Sequence, residues 1–407
     1  MSRSNRRQFL QTSSIVSLSP LVPGMLCRAA RAAGAASDAR TLVVIQLDGG
    51  NDGLNTVVPY ADAEYVRLRP KLHVALDRVH KLDDHVGLHP QMRAAKELFD
   101  DGRLAVVQGV GYPNPDRSHF RSMRIWQTAS FDDADHDAYG WLGRAMDRQL
   151  VVTSASGAAA SDAPLMYVGE DQTPVALWAR RAEATSLARL EDLALRSSPG
   201  KISAADDGPN VRQFVTRQVL SAYASAEELS RPGPAGGLAS AKYPDSSLAS
   251  RLQIVSQLIQ RGAQARVFYV TQGGYDTHAT QEFTHANLLA QFSQALKAFL
   301  DDLRTAGLHE RVAVLAFSEF GRRAAENDSQ GTDHGAAGPV FVAGSPVRGG
   351  LIGAAPDLSH LAEGDVQMGL DFRQVYAMLL EDWFGVSAPD VLGASFDSLK
   401  ILKASPV

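Results

Sequence analysis

The most constraining feature is a short run with almost no polar interruption: Thr41 to Leu47 reads TLVVIQL. A strand exposed on one side alternates apolar and polar residues, so an unbroken β-branched run marks a strand covered on both faces. Strands of that kind belong to parallel sheets. Similar runs recur at Leu104 to Val107, Ala265 to Thr271, Val312 to Phe317 and Val340 to Ala343. Helical spacing separates them. Leu248, Leu252, Val255, Leu258 and Ile259 make one apolar face behind a cap at Asp245 or Ser246. A second helix spans 282–305, and a third follows Asp371 with Phe372, Val375, Tyr376, Leu379 and Trp383 in register, ending before Gly385. This alternation predicts an α/β fold, a doubly wound and mostly parallel sheet with helices on both faces. Small-residue stretches at 153–163 and 230–246 bracket an expected insertion or cap over about 150–245, with helical character at 180–195 and 210–229.

The first 36 residues read as an address. Arg6 and Arg7 precede a mildly apolar run, Ile15 to Leu26, and small residues follow to Ala36, the pattern of a twin-arginine signal. The run carries Ser17, Ser19, Pro20, Pro23 and Gly24 and is too short and polar for a membrane span, which needs about 20 apolar residues. The expectation is therefore a periplasmic or secreted protein that meets the twin-arginine export machinery and has no membrane span once mature. The single cysteine, Cys27, falls within this segment. So do five arginines and no acid, so cleavage shifts the formal net charge from −5 to −10. That balance argues against nucleic acid, whose phosphates need clustered Lys and Arg.

In open α/β sheets ligands bind beyond the carboxyl ends of the strands, so the polar residues after each apolar run are the candidates. After the first run come Asp48, Gly49, Gly50, Asn51 and Asp52. The glycines suit a tight turn or a close approach to ligand, but their spacing is not the dinucleotide fingerprint. A nicotinamide or flavin enzyme is disfavoured. After the run at 265–271 come Asp276 and His278, which point the same way if the segment is extended. Glu319 ends the run at 312–317, and Asp333 and His334 follow in a glycine-flanked loop. Carboxylates and imidazoles converging from separate strands need a cation, and this mixture favours zinc, manganese or iron over calcium or magnesium. Ser118 and His119 open a helix expected to run to Gln127, where Ser118 is either a cap or a nucleophile and His119 can activate it.

Together the twin-arginine start and the motifs IQLDGGNDGLNTVVPY, GYPNPDRSHF, GGYDTH, SEFGRR and GTDHG resemble the bacterial family catalogued as domain of unknown function 1501. The motifs keep their order from Thr41 to Gly335, and DFRQVYAMLLEDWFG looks like the family's closing helix. That family is similar to the alkaline phosphatase and sulfatase superfamily, whose members hold divalent metals at strand ends and attack an ester with Ser, Thr or modified Cys. The resemblance implies an alkaline phosphatase-like fold. It implies Asp48 as first metal ligand, Ser118 as nucleophile, Asp276 and His278 on one metal, Glu319 on the other, and His334 with Asp333 beside it. Here the Asp and His of the first pair stand two apart rather than four, and Glu319-Phe320 replaces an Asp-His step. One or two ions are therefore implied.

The leading expectation is an exported metal-dependent hydrolase of phosphate or sulfate esters, its substrate unidentified. Ser118 would attack, His119 or the metal would assist, and Arg117, Arg322 and Asn51 would hold the substrate. The rival is a non-catalytic envelope protein of the same fold with at most a structural metal. The absent histidine favours that rival.

Overall fold

The computed structural model describes residues 40–132, 139–156, 164–189, 242–263 and 265–403, without the side chains of 152–156. The signal expected at 1–36, the helix expected at 210–229 and most of the insertion expected around 150–245 lie outside the described residues.

Among these residues nine strands form one sheet. In chain order they are β1 (Thr41–Leu47), β2 (Leu104–Gly111), β3 (Leu165–Val168), β4 (Ala184–Leu187), β5 (Val267–Gln272), β6 (Val312–Phe317), β7 (Gly338–Ala343), β8 (Gly350–Ile352) and β9 (Leu370–Asp371). Their spatial order is β8-β2-β7-β6-β1-β5-β3-β4, with β9 beside β2. Every pairing is parallel except those of β7, which runs against both β2 and β6. The loop from β6 to β7 returns at the same edge of the sheet, so β7 must reverse. A mostly parallel sheet is what the unbroken apolar runs predict.

The longer helices among the described residues are α1 (Arg93–Asp100), α2 (His119–Thr128), α3 (Trp141–Ser156), α4 (Ser247–Gln260), α5 (Gln281–Thr305) and α6 (Phe372–Met378). The last continues as a wider turn over Leu379–Phe384 and stops at Gly385, whose φ is 67°. Alternate residues of β1 serve two cores. Leu42 and Val44 pack with Trp126, Trp141 and Tyr376 on one face, while Val43 and Ile45 pack with Leu252, Val255, Phe292 and Phe299 on the other. Both faces are therefore covered by helices. Ser246 caps α4, accepting from the Ala249 N–H.

One element differs from the sequence expectation. Within the helix expected over 180–195, whose residues 190–195 lie outside the described residues, Ala184–Leu187 instead forms edge strand β4, paired parallel with β3. Ladder hydrogen bonds to an existing strand override the weak local preference of Ala-Thr-Ser-Leu.

Because β1, β2, β5 and β6 are mutually parallel, their carboxyl ends share one edge, and the loop entering β7 returns there as well. That edge gathers the chemistry.

Candidate metal centre

The loop after β1 lies directly on the loop after β5. Gly49 has φ of 116°, and a Cβ there would stand 2.5 Å from the Asp276 nitrogen. Gly50 has φ of 73°, and a Cβ would meet the Phe320 ring at 2.3 Å. These glycines serve a turn packed against neighbouring loops.

Three imidazoles converge above this platform. The Nε2 atoms of His278, His334 and His119 lie 3.0, 3.1 and 3.4 Å from Asp276 Oδ1. The Nε2 atoms of His278 and His334 are 2.9 Å apart. One ligand atom each from His119, Asp276 and His334 falls within 4.8 Å of the others. Every Nδ1 faces an acceptor: Glu319 Oε1 at 2.8 Å from His119, Asp333 Oδ1 at 3.3 Å from His278, and the Arg117 carbonyl at 2.7 Å from His334. Carbonyls accept only, as do ionised carboxylates, so each Nδ1 has a partner that suits a proton there. With Nδ1 protonated, a neutral ring would have an Nε2 lone pair available on the side of Asp276. Among the described residues the buried Nε2 of His119 has no hydrogen-bond partner.

Charge sharpens the arrangement. Burial pushes the Asp276 carboxyl up, but the Arg322 guanidinium, by hydrogen bond and by charge, outweighs it and brings the pKa down to about 2. Asp276 is ionised. The hydrogen bond to Glu319 raises the pKa of His119 against the opposing effect of burial. Asp48 is pushed up, first by desolvation and then by the charge of Glu319. Glu319 is 1% exposed, and its one ion-pair partner among the described residues is His119. A buried carboxylate without a fixed cation is costly. The mutually close group is His119, Asp276 and His334, and His278 Nε2 stands 3.0 Å from the Asp276 oxygen at its side; imidazole nitrogens with a carboxylate oxygen suit zinc, and also manganese or iron. Imidazoles that bind metal through one nitrogen characteristically donate the other to a carboxylate or carbonyl, as all three do here.

Several expected roles change. Glu319, expected as a ligand, has both oxygens occupied: Gly49 N–H and His119 bind Oε1, and the Ser318 hydroxyl binds Oε2. It meets Nδ1 of His119, expected as an acid-base group, at 2.8 Å, and the Nε2 of that ring lies 3.4 Å from Asp276 Oδ1. Arg322, expected to hold substrate, is buried, with Nε on the Gly50 carbonyl, Nη1 on the Thr332 carbonyl and Nη2 on Gly49, Tyr275 and Asp276. Asn51, expected at the substrate, is 2% exposed and gives its Oδ1 to Thr56 and His285. Polar loop residues default to solvent in a sequence reading, but here the loops pack on one another.

The remaining candidates sit around the cluster. Asp333 backs His278, and Asp48 is exposed, accepts from Gln46 at 2.9 Å and stands outside the 4.8 Å group. Ser118 is the exposed residue ahead of α2 and makes no side-chain cap bond. Arg117 is partly exposed and pairs with Asp365 at 2.6 Å. Sequence reading missed Ser318, whose single hydroxyl proton is shared between Glu319 Oε2 at 2.9 Å and the Leu47 carbonyl at 2.7 Å, and Gln281, the first residue of α5. Adjacency to Glu319 was the only signal for the former.

A second polar cluster lies beneath. Asp52 and Arg69, both side chains 0% exposed, pair at 2.6 Å, and Gln281 also donates to Asp52. His285 is buried beside them, and desolvation brings its pKa down to about 4.

Residues 39–394 match the family described as "Protein of unknown function (DUF1501)". No curated relative matches. Among solved structures the chain is similar to the PsFucS1 sulfatase from Pseudoalteromonas sp., at 11% identity over 98% of this chain and 75% of that one, with a TM-score of 0.40. It is also similar to a protein in the alkaline phosphatase superfamily from Vibrio parahaemolyticus, at 10% identity, coverage of 88% and 69%, and a TM-score of 0.40. The C-terminal periplasmic domain of EcEptC from Escherichia coli, in complex with Zn, aligns at 8% identity, coverage of 76% and 74%, and a TM-score of 0.38.

Proposed function

We propose, from the premise that this chain belongs to the DUF1501 family, that it is an exported metal-dependent hydrolase of phosphate or sulfate esters. One observation carries the reading: three imidazole Nε2 atoms within 3.4 Å of a single ionised carboxylate oxygen, each ring held by an acceptor on its far side. His119, Asp276, His278 and His334 would hold one ion, with Glu319 and Asp333 orienting two of the rings. A cation there would polarise an ester oxygen and lower the pKa of a hydroxyl beside it.

The chain supplies the remaining parts. Ser118 directly precedes the ligand His119, and its exposed hydroxyl stands at the N-terminus of ten-residue α2. The first N–H groups of a helix lack intrahelical acceptors and favour negative charge. Arg117 beside it offers guanidinium donors for the non-reacting oxygens. Export is supported by the paired arginines, the apolar run and the small residues that follow. Among the described residues no helix is long and apolar enough to cross a membrane.

A second reading has its own support, because Arg322 and Asn51 are engaged inside the protein and leave substrate binding to fewer groups. In that reading the chain is a binding protein of the envelope with one structural ion. The test measures bound metal and the hydrolysis of p-nitrophenyl phosphate and p-nitrophenyl sulfate, with and without Ser118→Ala. We expect about one zinc-class ion per chain, and a loss of hydrolysis on the order of a thousandfold or more in the variant. Metal-free protein that refuses reconstitution defeats the proposal, and hydrolysis indifferent to Ser118→Ala hands the case to the binding reading.

A further inference from the structure

The side chain of Gln281 begins α5 wholly buried beneath the imidazole cluster. Its Oε1 accepts from the Thr277 hydroxyl at 3.1 Å and the Thr332 hydroxyl at 2.6 Å, and its Nε2 donates to Asp52 Oδ2. Asp52 accepts only, which fixes which way the amide faces. Each partner belongs to a different loop of the site. Thr277 lies between Asp276 and His278 and is 5% exposed, whereas those neighbours have side chains 50% and 43% exposed. The inward threonine and the outward pair follow the alternation of extended backbone. Thr332 is fully buried two residues before His334, and its N–H donates to the Thr277 carbonyl at 3.2 Å. Asp52 sits in the loop whose Gly49 N–H holds Glu319, the partner of His119.

We propose that Gln281 is a positioning residue for the metal centre, its single amide locking the three loops that carry or orient His119, Asp276, His278 and His334. This rests on the metal reading above. Without the amide, two buried hydroxyls and a buried carboxylate lose a shared partner, and the loops lose their common reference from below. Outer partners that orient metal ligands typically govern about 10- to 100-fold in metal affinity.

The experiment measures zinc affinity by competition with a chromophoric chelator, the visible spectrum of the cobalt form, and the melting temperature in chelator. Gln281→Ala should bind zinc about 10- to 100-fold more weakly and alter the cobalt spectrum. Gln281→Glu sets a second carboxylate against Asp52 and should be worse. Thr332→Val removes only the 2.6 Å bond and serves as the mild variant should the others fail to fold; it should weaken zinc several-fold. Wild-type affinity in Gln281→Ala or Thr332→Val overturns the inference while leaving the metal reading intact. A wild type that binds neither zinc nor cobalt fells the metal reading first and this one with it.

Discussion

Asp52 and Asp276 sit in loops that touch, and each meets a buried arginine, yet their surroundings differ in kind. Around Asp52 the neighbours are donors: Arg69 at 2.6 Å, the Gln281 amide and the Asn55 N–H at 3.4 Å. Around Asp276 only Arg322, at 2.8 Å, is an unambiguous donor, and three imidazole nitrogens whose protons can sit on the far side of the ring approach the same oxygen. His285 beside the first cluster stays neutral through burial and gives its Nε2 proton to Asn51, which leaves it satisfied. Acids, histidines and an arginine thus build a closed network in one place and an open one a few residues away. What separates them is the count of protons between the heavy atoms. A ligand set is a place where that count falls short.

The largest effect expected from this contrast is on folding. Arg69→Ala leaves Asp52 buried and ionised without its partner, and breaking such a pair costs about 3–5 kcal/mol. Urea unfolding in chelator measures it. A cost under about 1 kcal/mol, the range of an exposed pair, would mean that the lower cluster is not closed and that the two regions are alike.

Which of these acids would be which was only partly legible in the sequence. TLVVIQL announces β1 because burial on both faces erases alternation, and the candidate positions follow from knowing that ligands gather at carboxyl edges. Strand direction leaves no such trace, so β7 reads like its parallel neighbours although it runs backwards. β4 was missed because only Leu187 of its four residues is buried, and its strand character comes from pairing with β3. At the site, the sequence placed Glu319 at a strand end but could not say that Gly49, Ser318 and His119 consume its oxygens. His119 was read through its neighbour Ser118, although its ring faces Asp276. Side-chain direction and the partner of each Nδ1 are tertiary facts. Residue type alone brought Asp276, His278 and His334 together because two loops happen to carry an acid and a histidine close together in sequence, Asp276 with His278 and Asp333 with His334.

An intermediate effect is expected where the two regions meet. Glu319 is buried like Asp52 but serves the open cluster by holding His119. Glu319→Gln keeps the shape and removes the charge, so His119 is free to change tautomer and withdraw its Nε2 lone pair. Zinc affinity should fall about 10- to 100-fold, equivalent to about 1.4–2.7 kcal/mol, read by chelator competition. Unchanged affinity would place Glu319 with the closed network and outside the site's function.

The smallest expected effect discriminates best. If the imidazoles converge to hold an ion, then in chelator they gain little from one another, since neutral lone pairs facing a carboxylate repel. His278 is 43% exposed at the side chain, and its contact with Asp333 is a long 3.3 Å. His278→Ala should therefore change the stability of chelated protein by no more than about 0.5 kcal/mol, as for an ordinary surface substitution. With zinc added the same variant should lose the stabilisation that wild type gains, which at a hundredfold excess over Kd is about 2.7 kcal/mol. The two measurements must split. Should His278→Ala cost several kcal/mol in chelator and nothing more with zinc, the histidines are holding the loops together as protonated partners of Asp276. The upper cluster would then be a second closed network.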